Sequence, residues 1–149
     1  GEVSFSKVLE VADAFVVNGI DQITLADTTG MANPKQVSRY VGKFNAIFPN
    51  IKLALHFHNT RGLGLTNVFA GYQAGVRSFD SSIGGLGGCP FAPLAAGNVC
   101  TEDLIHLFEQ MGIQTGIDLK ELIETAKWVE SKIDHGLDGL VLKAGPVNS

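Results

Sequence analysis

Cysteine is scarce. Cys89 and Cys100 are the two in a chain of 149 residues, too few for the disulfide framework of a small secreted domain, so a reducing compartment fits. Charge is scarce as well: Asp, Glu, Lys and Arg make up 17% of the residues and leave a net charge of -4. That balance argues against a general nucleic-acid or anionic-membrane surface and favours a small-molecule partner. No apolar run approaches the roughly 20 residues of a membrane span, and Gly1-Glu2-Val3-Ser4-Phe5 lacks the basic-then-apolar order of a signal peptide. The expectation is a soluble, cytoplasmic protein that binds neither nucleic acid nor membrane.

Hydrophobic residues are plentiful at 45%, enough to bury the core of one domain over 1–149 and to exclude disorder. Glycine is in excess: 18 in 149 residues is about 12%, against an average of about 7%, and many crowd into Gly84 to Gly97. The chain opens without Met on a segment that reads as a helix already under way, so a piece of something longer is expected.

Val8, Leu9, Ala12, Phe15 and Val16 form an apolar stripe at helical spacing within Ser6 to Asn18, closed by Gly19. Gln22 to Asp27 reads as a strand. Asn33-Pro34 then supplies a cap and first-turn proline for a helix to Phe48. The pattern recurs with a strand over Ile51 to His58, a helix over Leu65 to Ala74, a strand over Val76 to Ser81, the glycine loop, a brief strand at Asn98 to Cys100, and a helix from Thr101. Four alternations of strand and helix at this spacing predict an α/β fold with a parallel sheet. A doubly wound sheet would place a glycine-rich phosphate loop after its first strand, where Thr28-Thr29-Gly30-Met31-Ala32-Asn33 stands instead. A (β/α)8 barrel takes about 250 residues, so four units predict roughly half of a TIM barrel.

Asp27, His56, His58, Asp80 and Asn98 all fall at the C-terminal ends of predicted strands, where such barrels keep their chemistry. His56 and His58 alternate with Phe57 and so share one face of a strand, which suits metal ligation. Asn98 is read either as an amide-oxygen ligand, compatible with Mg or Mn, or as a turn residue. Asp27 is either a turn carboxylate or a group facing substrate. Arg61 either meets a substrate anion or stays a solvated loop residue. Cys89, among glycines and prolines, fits a thiol that exchanges protons from a lid better than a buried structural thiol. Cys100 is read as a buried structural thiol and His106 and His135 as surface or cap residues, and Trp128 is placed in a core stripe with Leu122, Ile123, Ala126 and Ile133.

Two motifs carry a family resemblance. Leu53-Ala54-Leu55-His56-Phe57-His58-Asn59-Thr60-Arg61-Gly62 looks like the metal strand, and Ser82-Ile83-Gly84-Gly85-Leu86-Gly87-Gly88-Cys89-Pro90-Phe91 like the cysteine loop, of the 3-hydroxy-3-methylglutaryl-CoA lyases. The resemblance covers nearly the whole chain. It implies a (β/α)8 barrel of which this chain supplies the last four units, and a divalent cation, Mg or Mn, on His56, His58 and Asn98. It also implies catalysis by Cys89 and cleavage of an acyl-CoA substrate; from their own positions His56 is read as a further proton carrier and Asp27 and Arg61 as substrate-binding residues. The family's first strand supplies an Arg-Asp pair that has no counterpart here, and Asn59 and Arg61 depart from the Asp-Thr-Tyr of animal members. Citramalyl-CoA lyase or a related aldolase is the second enzymatic reading; a non-catalytic half-barrel whose sheet edges pair with another copy is the third. A homodimer or higher homo-oligomer is expected.

Overall fold

A three-stranded parallel sheet, ordered β1-β2-β3, forms the frame on which the helices pack. The computed structural model describes residues 3–89 and 92–147, without the side chains of 89 and 92–96. The strands are β1 (Gln22–Asp27), β2 (Lys52–Phe57) and β3 (Ser78–Asp80). Helices α1 (Phe5–Val17), α2 (Pro34–Ile47) and α3 (Gly64–Gln73) alternate with them. Helices α1 and α2 start on side-chain caps: Ser4 caps α1, and the Asn33 side chain accepts from Gln36 N at 3.0 Å while Pro34 takes the first helical position.

The parallel register, Gln22 opposite Lys52 through Asp27 opposite Phe57 and then His56 opposite Asp80, brings the polar strand ends to one edge of the sheet. β2 is buried at Leu53, Ala54, Leu55 and Phe57 because a strand lies on either side of it. Helix α3 closes on it through Gly71, where any Cβ would strike the Leu55 side chain. In the core, Val41, Phe44, Val68, Val99 and Ala126 are at most 1% exposed. Truncating the Phe44 ring there would cost about 3–5 kcal/mol.

The second half departs from strict alternation. The expected strand over 76–81 is shorter, only β3, and just before it Arg77 Nη1 donates to the Tyr72 and Val76 carbonyls. A single 3-10 turn at Ile83–Gly85 follows, then a short antiparallel hairpin, β4 (Gly88–Cys89) with β5 (Ala92–Ala96), where only a loop was expected. The expected strand at Asn98 to Cys100 is reduced to isolated bridges, His58 with Asn98 and Ser82 with Cys100. Helices α4 (Thr101–Gln110), α5 (Leu119–Glu130) and α6 (Leu140–Ala144) complete the fold.

Trp128 corrects the predicted core stripe. Ile123 and Ala126 are buried, but Trp128 is 61% exposed, with the Lys132 ammonium 5.8 Å from its ring centre. In α1 Ala12 is the buried residue, while Val11 and Phe15 face a cleft of about 810 Å³ lined also by Ile23, Leu25 and Phe57. That cleft runs beside β1, whose outer edge has no strand partner among the described residues, as befits part of a barrel. Among the described residues no helix is long and apolar enough to cross a membrane.

Candidate active site

The period-two alternation of β2 does what the sequence requires of it. His56 is the half-buried residue of the strand and His58, one step past its end, is 6% exposed; their rings stand 5.2 Å apart, tilted by 69°. His56 Nδ1 lies 3.9 Å from Asp80 Oδ2 across the β2–β3 register. Burial first, and then the neighbouring His56, hold the His58 imidazole below its ordinary pKa, against the opposing pull of Asp27 and the Gly97 backbone. His58 Nδ1 is shielded from solvent and has no hydrogen-bond partner. A neutral ring with an unused nitrogen is what a metal ligand requires.

Asn98 reaches the same place along a separate route. Its segment is stitched to the end of β2 by Val99 N donating to Phe57 O at 3.1 Å and Asn59 N to Gly97 O at 3.0 Å. Its side-chain Nδ2 donates to Leu86 O at 2.7 Å, leaving Oδ1 buried and unpartnered. The approach depends on Gly87, at φ 106°, because a Cβ there would sit 2.6 Å from Asn98 Nδ2. Orphaned buried acceptors are expensive. Two of them, an imidazole nitrogen and an amide oxygen, on bridged residues next to a second imidazole suit a divalent cation with mixed nitrogen and oxygen ligands. Among the described residues no three His, Cys, Asp or Glu side chains form a group that could hold a metal ion.

Asp27 and Arg61 are committed to the βα loops. The Asp27 carboxylate accepts from Met31 N at 2.9 Å and Ala32 N at 3.0 Å, shaping the turn after β1. Arg61 Nη1 donates to Thr29 O at 2.9 Å and Gly30 O at 3.3 Å, tying the loop after β2 to the loop after β1. The Cys89 backbone belongs to β4, and its side chain lies outside the described residues. His135 is exposed, with Nδ1 3.0 Å from Gly136 O, whereas His106 is half-buried with its Nδ1 shielded and without a partner.

Glu102 and Asp103, the acids in the first turn of α4, do more than favour that helix start. Glu102 is fully buried and accepts from Gly84 N at 3.1 and 2.9 Å and from the Cys100 thiol at 2.6 Å. Asp103 accepts from Leu140 N and Val141 N at 3.1 and 2.7 Å, tying the start of α6 to α4. The sequence carries a signal for Glu102: it stands three residues before Ile105, on the buried face of α4.

With these positions fixed, the chain can be set beside known proteins. It matches the HMGL-like family over residues 1–129. The chain belongs to that family. (R)-Citramalyl-CoA lyase of Chloroflexus aurantiacus is 48% identical over 147 residues, which are 99% of this chain and 46% of that protein. Hydroxymethylglutaryl-CoA lyase YngG of Bacillus subtilis is 44% identical over 136 residues, 91% of this chain and 46% of the relative. Among solved structures, an HMG-CoA lyase from Acinetobacter baumannii in complex with coenzyme A and 3-methylmalate superposes with a TM-score of 0.94 at 49% identity, covering all of this chain and 49% of the other. The chain spans about half the length of the curated relatives it matches, and as an HMGL-like chain it forms part of a TIM barrel.

Proposed function

We propose that the protein carrying this chain is a divalent-metal-dependent carbon-carbon lyase that cleaves 3-hydroxy-3-methylglutaryl-CoA to acetyl-CoA and acetoacetate. The observation that supports this most is the meeting of His56, His58 and the unpartnered Asn98 Oδ1 at the base of the hairpin that carries Cys89. His56, His58 and Asn98 would hold the cation, Mg or Mn. Bound there, a divalent cation supplies Lewis-acid polarisation of the substrate's hydroxyl group.

The chain's own groups supply the rest. The depressed pKa of His58 keeps that ring neutral near pH 7, available as a donor. His56 is a second nitrogen donor and, as a ligand, a poor base, so its part in proton transfer is secondary. The substrate hydroxyl gives its proton to water, its electron pair forms the ketone of acetoacetate, and the carbon-carbon pair passes to the departing acetyl-CoA carbon; water returns a proton to the Cys89 thiolate once that thiol has protonated the carbon. The Cys89 thiol gives that carbon its proton, from a hairpin whose flanking glycines allow close approach. Asp27 and Arg61 act on substrate through the loops they shape, and Arg61 retains donors beyond the Nη1 that the loop carbonyls use.

A second reading is cleavage of (R)-citramalyl-CoA to acetyl-CoA and pyruvate, favoured by the Chloroflexus relative at 48% identity. The complete protein, assayed with Mg or Mn on both thioesters, separates the two: acetoacetate release supports the first reading and pyruvate release the second. Cleavage of neither, or turnover undiminished by EDTA or by Cys89→Ala, refutes the mechanism.

A further inference from the structure

The fully buried Glu102 belongs to no part of that chemistry, yet its contacts lead to the ligand set. A carboxylate taken out of water is costly unless hydrogen bonds compensate it. Here the compensation comes from the Gly84 N–H and the Cys100 thiol. Gly84 is held from its other side too, its carbonyl accepting from Asp138 N at 3.1 Å. The next residues hand this anchorage on: Gly85 O accepts from Asn98 N at 3.1 Å, and Leu86 O accepts both the Asn98 Nδ2 and the Ser82 hydroxyl. Between the carboxylate and Asn98 lie only three residues of backbone, each fixed by a hydrogen bond.

We propose that Glu102 is a positioning residue, which pins Gly84 so that the Leu86 carbonyl holds the Asn98 amide with its Oδ1 turned free, and which sets the root of the hairpin bearing Cys89. The inference rests on the reading of Asn98 as a ligand. Glu102 touches neither substrate nor cation; it acts through the Gly84–Leu86 turn. A carboxylate suits the task because its two acceptor oxygens serve a backbone N–H and a thiol at once. Glutamine in its place would turn an NH₂ toward one of those donors and leave that donor unpaired.

The test uses the complete protein with Glu102→Gln and, as a matched buried control on the same helix, Leu104→Ala. Three quantities are followed: Mn(II) affinity from the free-ion EPR signal, kcat and KM for the cleaved thioester, and amide exchange at Gly84 and Gly85. The expected result for Glu102→Gln is at least fivefold weaker Mn(II) binding and at least a tenfold fall in kcat, with KM within twofold. Gly84 and Gly85 exchange faster, while Leu104→Ala lowers thermal stability and leaves Mn(II) affinity alone. If Glu102→Gln cannot be purified folded, Cys100→Ala decides, with a twofold or larger loss of Mn(II) affinity expected. Unchanged affinity, kcat and exchange in a folded Glu102 variant, or equal losses in Leu104→Ala, overturn the proposal. A wild-type protein that binds no Mn(II) and cleaves neither thioester refutes the functional reading, while the exchange data still decide whether Glu102 fixes the turn.

Discussion

Replacing Gly84 by alanine tests the turn where the fold and the site are joined. Gly84 adopts φ 58°, ψ 9°, the left-handed region, which costs a residue with a Cβ roughly 1–2 kcal/mol. The new Cβ would also lie 2.7 and 2.8 Å from Leu137 Cγ and Cβ, with Cδ1 closer still. Leu137 is 2% exposed and cannot swing into solvent, so overpacking adds about 1–3 kcal/mol. The smaller conformational freedom of alanine in the unfolded chain returns about 0.4–1 kcal/mol. The net loss is about 1–5 kcal/mol, and for a domain of this size that lowers the thermal midpoint by about 2–20 °C. Thermal unfolding followed by circular dichroism measures it. The steric part is isolated by adding Leu137→Ala, which alone costs about 2–5 kcal/mol; the double variant should lose about 1–3 kcal/mol less than the two single variants together. A Gly84→Ala protein within about 0.5 kcal/mol of wild type would refute the reasoning, and a large loss with no coupling to Leu137 would leave only the backbone angle as its cause.

Cys100 should be inert. Burial, and then its bond to Glu102, push its thiol up to about 12 from 9.0, so at pH 8 a thiol reagent should leave it unmodified until denaturant is added; rapid labelling of the folded protein would contradict this. Because the folded-state pKa is the higher one, the contribution of the neutral thiol is complete below pH 9.0 and is lost as pH rises toward 12, at about 1.4 kcal/mol per unit. Cys100→Ala should flatten that alkaline slope. Asp27→Ala removes the acceptor of two backbone N–H groups and should cost about 1–2 kcal/mol in thermal unfolding; a changed KM with unchanged stability would instead show direct contact with substrate.

The imidazole pair was readable because period-two alternation leaves no choice: once 51–58 is a strand, positions 56 and 58 share a face. The helix start at Asn33 was readable for a similarly local reason, the capping side chain and the proline beside it. The hairpin was not readable, since a run of glycines satisfies a loop and a two-residue strand equally well. Trp128 misled because helical spacing defines a stripe without saying whether anything covers it. The tasks of Glu102 and Asp103 depend on Gly84, Leu140 and Val141 arriving from other segments, and Arg61 depends in the same way on carbonyls 31 and 32 residues earlier. Contacts of that kind have no period and leave no local trace.

The candidate ligands therefore differ in what holds them. His56 is fixed by a strand paired on both sides, and His58 follows directly from it; slipping that register by one residue would turn both rings to the opposite face and bury Phe57's neighbours wrongly, a change the core would oppose as a whole. Asn98 is held by a few hydrogen bonds across a glycine turn, each worth about 0.5–1.5 kcal/mol, so its position can be lost without unfolding the sheet. Changes at Gly84, Leu137 or Glu102 should accordingly remove one donor and leave two. Changes within β2 that the protein survives should leave all three, because a β2 change that displaced the imidazoles would have to dismantle the strand pairing first.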